Sequence, residues 1–288
     1  MRLAARTTWL ALAMTAVPGI AAPSPDPAAS PSGAAAAAPV TPLALAAAIA
    51  PAARIVPEAL VAPEALVAPA AARPVTVARY SFDAGAGATG RVAEDSGRGT
   101  ALTLRSAAGG RVTFPGTRAD RDAVFPAPCA GTQATCPRAL LEGTDDADLD
   151  PGTRAFRWGA SVRVIKAQVR GSSNVVQKGV VDTESQWKMQ LGARHGKAQC
   201  VVVGRGSTKV YLVRSSAGVA DGKWHDIMCR RSGTGLTVYV DGRVRGRVTV
   251  PAALSIANAM PLRIGGPNFN TRSDMYHGRL DEVYARLG

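Results

Sequence analysis

The chain has 288 residues, is 47% hydrophobic but only 5% aromatic, and carries a net charge of +13. Much of the apolar count is alanine ahead of Val75. The remainder suits one β-sandwich, which runs to roughly 200–250 residues as a single domain, and it holds no apolar run long enough for a membrane-spanning helix. Four arginines and three acids precede Val75, leaving 30 basic and 18 acidic residues after it, with arginine outnumbering lysine 28 to 6 in the whole chain. That bias fits coding in a GC-rich genome plus solubility. Its sharper reading is attraction to an anionic polymer.

Residues 1–21 read as a secretory signal. Arg2 and Arg6 are basic, residues 9–17 form a short apolar core, and Gly19-Ile20-Ala21 is a small-x-small cleavage site. Residues 22–74 are Ala/Pro-rich, with a six-residue echo at 57–62 and 63–68. Recurrent proline blocks long helix and favours an extended, disordered spacer. The folded domain is expected at 75–288. Residues 75–83 alternate and open it, and a glycine-rich loop with Asp95 follows. Short strands are expected at 101–104, 111–114 and 140–142, and an acidic turn at 144–152. Residues 154–166 alternate as a long strand. Segments 174–179 and 186–191 read as an antiparallel pair. Strands at 199–204, 209–213, 224–231, 236–240, 243–250 and 262–265 continue the meander.

Asp241-Gly242 between two alternating runs is a strong hairpin signal. A two-residue loop would mix valines with arginines on one face. A three-residue loop, Val240-Asp241-Gly242, keeps each face consistent. It predicts Val238 opposite Val244, and an outer face carrying Tyr239 with Arg243, Arg245 and Arg247. Those three arginines are the polyanion-binding candidates, since same-face strand residues lie about 6.8 Å apart.

Trp224-His225 followed by Tyr239-Val240-Asp241-Gly242 resembles the central signature of laminin G-like domains, members of the concanavalin A-like lectin/glucanase superfamily. Pro261-Leu262-Arg263-Ile264-Gly265-Gly266 with Gly278-Arg279-Leu280-Asp281-Glu282-Val283-Tyr284 resembles that family's last two strands. Tyr80-Ser81-Phe82-Asp83 with Asp95-Ser96-Gly97-Arg98-Gly99 resembles its opening strand and loop. The pieces span residues 79–288 in order and resemble a secreted, actinobacterial-type form. The resemblance implies an all-β, two-sheet antiparallel jelly-roll sandwich. It implies little about activity, because one fold hosts many functions. By resemblance a structural Ca2+ is held by Asp95 and Asp281, since first and last strands are neighbours in this fold.

Four cysteines in an exported chain predict two disulfides, and of the possible connectivities we favour Cys129–Cys136 and Cys200–Cys229. The second would tie strands that a meander places side by side. Related glycoside hydrolases carry alternate carboxylates on one strand, and no such strand is present here. The acids at 145–150 lie in a turn, and Asp281-Glu282 are adjacent. HExxH and GxSxG are absent. For glycan binding the sequence offers stacking and hydrogen-bonding groups: Trp187, Tyr211, Asn268, Phe269, Asn270, Asp274, Tyr276 and His277. Trp158 and Trp224 are read as core, and Trp187 carries a core reading beside the binding one. The favoured function is a secreted, non-catalytic module that binds extracellular carbohydrate or cell-envelope polymer. It would be monomeric, without a nucleic-acid partner. A structural or protein-interaction domain is the alternative, and an unrecognised glycan hydrolase the third.

Overall fold

The computed structural model describes residues 73–130, 135–181, 185–192, 195–270 and 273–288. The predicted signal peptide and nearly all of the linker lie outside them. The strands are β1 (Val75–Tyr80), β2 (Arg91–Val92), β3 (Leu102–Ala107), β4 (Ala123–Val124), β5 (Arg138–Glu142), β6 (Phe156–Ile165), β7 (Ser173–Lys178) and β8 (Gln186–Gly192). They continue as β9 (Lys197–Val203), β10 (Val210–Gly218), β11 (Asp221–Ser232), β12 (Gly235–Val240), β13 (Arg243–Thr249), β14 (Leu262–Ile264) and β15 (Arg279–Leu287).

Two antiparallel sheets enclose one core. The first runs β1-β15-β6-β11-β12-β13, with β4 also on β15, and the second runs β10-β9-β8-β7-β14-β5-β3-β2. The all-β sandwich therefore forms, with first and last strands paired from Val75 opposite Leu287 to Tyr80 opposite Val283. Strict alternation builds it. In β6, Phe156, Trp158, Ala160, Val162 and Val164 are buried while Arg157, Ser161 and Arg163 point out. Facing them, β8 sends in Trp187, Met189 and Leu191. The Phe156, Trp158 and Trp187 rings meet at 5.2–5.8 Å. Such aromatic pairs add about 0.5–1.5 kcal/mol each beyond the burial of their area. Residues 111–114, predicted as a strand, contribute only a single bridge from Thr113 to Val124.

Both predicted disulfides form, each with Cα atoms 5.7 Å apart. Cys200 and Cys229 are not side by side in one sheet, as the meander suggested. Cys200 lies on β9 in the second sheet and Cys229 on β11 in the first, so their bond crosses the core.

The β12–β13 register departs from the predicted one. Val240 pairs with Arg243 across a two-residue turn in which both Asp241 (φ 52°) and Gly242 (φ 71°) are left-handed. That is the turn whose twist matches paired strands. A bulge then absorbs Arg245, so Val238 meets Gly246 and Leu236 meets Val248. The bulge, rather than a longer loop, returns β13 to its inward phase. Val244 consequently shares the outer face with Tyr239 and is 51% exposed.

Candidate functional site

Because Trp187, Met189 and Leu191 face the core, Gln186, Lys188 and Gln190 face outward from the second sheet. Cross-strand pairing extends this into rows. Arg214, Gln199, Gln190 and Asn174 form one. Leu212, Val201, Lys188, Gln177, Arg263 and Glu142 form the next. The segment after β14 folds back over part of this face. The Asp274 carbonyl accepts from Asn174 N at 3.0 Å. Met275 presses on Gly266, where a Cβ would lie 2.7 Å from its sulfur.

The area over β8, β9 and β10 stays open as a groove of about 570 Å³, lined by Val169, Ser172, Gln190, Gln199, Leu212 and Arg214. Gln190 is only 5% exposed. Its Nε2 donates to Gln199 Oε1 at 2.6 Å, and its own Oε1 has no hydrogen-bond partner. Gly192 makes room for this pair, since a Cβ there would meet Gln199 Nε2 at 2.5 Å. Beside the groove, burial pushes the Lys188 pKa down and the Asp274 pKa up, and each charge opposes the other's shift. The pair leaves a partly desolvated cation and anion next to buried amides. Such a set of donors and acceptors suits the hydroxyls of a sugar.

None of the predicted glycan-binding residues lines this groove; Asp274 comes nearest, through its carbonyl's bond to Asn174. Trp187 is fully buried in the aromatic core, its indole N–H donating to Leu149 O at 2.9 Å, and it offers no stacking face. Tyr276 is also buried, with its ring edge on Phe125 and its hydroxyl donating to Arg279 O at 2.8 Å. Tyr211 packs against the core under Lys209. Asn268 Oδ1 accepts from Asn270 N and the Ser273 hydroxyl, so it serves its own loop. Phe269 lies under the Arg138 guanidinium, whose Nη1 donates to the Phe269 carbonyl. His277 bonds Pro126 O through Nδ1, and burial holds its pKa below the usual value. It lines a separate pocket of about 230 Å³ with Cys129, Cys136 and Arg170. The loop is thus largely a self-braced flap.

The three arginines of β13 do not share a face. Arg243 stands opposite Val240, Arg245 occupies the bulge, and only Arg247 joins the outer face, opposite Thr237. Trp224, read as core, is 41% exposed. It borders a pocket of about 220 Å³ with Asp120, Arg121, Arg279 and Asp281.

Asp95 Oδ2 accepts from Ser81 N at 2.7 Å, and Asp281 Oδ1 from Glu282 N at 2.8 Å. Both flank the end of β1, but among the described residues no group of three or more His, Cys, Asp or Glu side chains gathers to hold a metal. The acidic turn is structural as well. Asp146 caps a short 3-10 helix, and Asp145 and Asp150 both pair with the buried Lys178. Glu142 is held between Arg105 and Arg263. Among the described residues no helix is long and apolar enough to cross a membrane.

Residues 149–285 match the Laminin_G_3 family, described as the concanavalin A-like lectin/glucanases superfamily. No curated protein matches the sequence. Among solved structures the chain is similar to domain 4 of AbnA, a GH43 extracellular arabinanase from Geobacillus stearothermophilus, in complex with arabinotriose. That likeness has 14% identity and a TM-score of 0.56, over 75% of this chain and 94% of that one. The binding domain of Paraclostridial Mosquitocidal Protein 1 follows at 14% identity and TM-score 0.53, over 74% and 48%. The binding domain of botulinum neurotoxin DC in complex with SialylT gives 8% identity and TM-score 0.51, over 73% and 47%. The chain spans about half the length of those two toxin structures. At such identities the likeness is one of fold, and that two-sheet sandwich agrees with the family match over residues 149–285.

Proposed function

We propose that this chain is a secreted, non-catalytic carbohydrate-recognition module, and that sugar lodges in the groove over β8, β9 and β10. One observation carries this reading: Gln190 presents a buried, unpartnered amide oxygen at the groove floor. A buried acceptor left unmade costs about 1–3 kcal/mol, and a donated sugar hydroxyl would recover that. Gln199 and Arg214 supply polar groups for neighbouring oxygens, and Leu212 and Val169 supply apolar contact for the C–H face. Secretion is supported by the N-terminal signal pattern and by two disulfides, which persist in oxidising compartments.

The test is calorimetric titration of the full exported chain with oligosaccharides drawn from a glycan array, arabinotriose and sialylated glycans included. Gln190→Ala and Arg214→Ala are each expected to weaken binding at least about tenfold, or about 1.4 kcal/mol. Unchanged affinity in both variants would remove the groove from the proposal. Absence of any glycan binding would favour a protein-interaction role, and released sugar products would overturn the non-catalytic assignment.

A further inference from the structure

The outer face of the first sheet, on the opposite side of the sandwich, is also organised in cross-strand rows. Arg286 pairs with Arg157, Arg157 with Arg230, Arg230 with Thr237, and Thr237 with Arg247. Four arginines therefore stand in one line across β15, β6, β11 and β13, with Thr237 of β12 between the last two. Adjacent strands are about 4.8 Å apart, so the first three cations follow one another at single-strand steps.

Among the described residues none of the four takes part in an ion pair. The Arg286 guanidinium lies 4.6 Å over the Tyr284 ring. Arg247 Nε reaches only the Thr237 hydroxyl, at 3.3 Å. Arg157 Nε and Arg230 Nε are shielded and have no partner. The acids of this face, Asp226 and Glu282, line the depression that holds Tyr284 and Arg286, and both are engaged. Asp226 accepts from the Ser161 hydroxyl, and Glu282 pairs with Arg79.

The next row is aromatic and apolar. Tyr284 pairs with Gly159, Gly159 with Met228, Met228 with Tyr239, and Tyr239 with Val244. A Cβ at Gly159 would lie 2.5–2.6 Å from three atoms of the Tyr284 side chain, so glycine lets that ring rest on the sheet. Two shallow depressions, about 330 and 450 Å³, share Tyr239. One reaches Arg230 and Arg247, the other Tyr284 and Arg286.

We infer that this face binds a linear, carboxylate-bearing polysaccharide. The chain lies across the strands with its acid groups on the arginine row and its rings on Tyr284, Met228 and Tyr239. A strand step is close to the length of one pyranose along a polysaccharide, so successive uronate residues meet successive arginines. The planar guanidinium fork matches a carboxylate, and the tyrosine row favours a chain that has C–H faces to stack.

The experiment titrates the full chain with polygalacturonate oligomers, their methyl esters and inorganic polyphosphate, at several salt concentrations. Wild type is expected to bind the free acid well above the ester. Arg157→Gln/Arg230→Gln should weaken that binding at least tenfold and flatten its salt dependence. Tyr239→Ala should weaken it about fivefold. Arg157→Lys, which keeps the charge but not the fork, should fall between the wild type and the double variant. A charge-matched control, Arg118→Gln/Lys209→Gln on exposed positions off the row, should leave it unchanged. Melting curves confirm that each variant is folded. Equal binding of the methyl ester overturns the proposal. So does equal loss in the control, or preference for polyphosphate with no effect of Tyr239→Ala.

Discussion

Asp281 sits at a bulge in β15, beside Glu282, whose backbone is left-handed at φ 47°. Burial raises its pKa from 3.8 to about 6, and the charges of Glu282, Asp83 and Asp122 add to this against the hydrogen bond from Glu282 N. A carboxyl with a raised pKa in the folded state holds its proton more tightly there than in the unfolded chain. Its contribution is therefore most favourable below about pH 4, declines as pH rises towards 6, and stays unfavourable above that. Asp281 is only partly buried, so solvent screening discounts the penalty to about 1 kcal/mol. Asp281→Asn keeps the acceptor for Glu282 N. It should melt about 2–4 °C above wild type at pH 7.5 and coincide with it at pH 4. Added calcium in the same melts tests the expected metal. An ion held by ionised Asp281 would raise the wild type and not the variant. Single residues were the least legible part of the sequence. Trp187 and Trp224 look alike in composition and spacing. Only the partner strands decide that one ring meets Phe156 and Trp158 while the other borders Arg279 and Asp281.

At the scale of elements, the β12–β13 hairpin shows what alternation reveals and what it hides. The turn at Asp241-Gly242 was evident from its residue types, but its length was not. The bulge at Arg245 depends on β13 approaching β10, a contact between strands far apart in the chain. Gly246 sits at that approach, where a Cβ would overlap the Arg214 carbonyl and crowd Val213. Gly246→Ala should therefore destabilise the protein by about 1–3 kcal/mol, measured by urea unfolding. It should also disturb Arg214 at the groove. Alternation likewise identified β6 and the β7–β8 pair. It could not show that Gln190 and Gln199 would share a buried hydrogen bond, because that follows from which strand lies beside which.

For the whole molecule, the sandwich itself was legible, because short alternating runs, glycine-rich turns and the three ordered motifs all point the same way. The depth of the second disulfide was not, since cysteine spacing does not reveal whether a bond lies within a sheet or between sheets. Cys200–Cys229 closes a loop of 29 residues through the core. By chain entropy such a closure contributes about 3–4 kcal/mol. Cys200→Ala/Cys229→Ala should lower the melting temperature by about 10 °C, with a smaller loss for the surface pair Cys129→Ala/Cys136→Ala. The pairing of β1 with β15 has a mechanical consequence. Val75 stands directly opposite Leu287 on antiparallel neighbours. Tension applied between these two points peels the ladder open one hydrogen bond at a time, instead of loading all of its bonds in shear. The sandwich therefore yields at this zipper under modest force, while the covalent link between β9 and β11 keeps the rest of the two sheets from sliding apart.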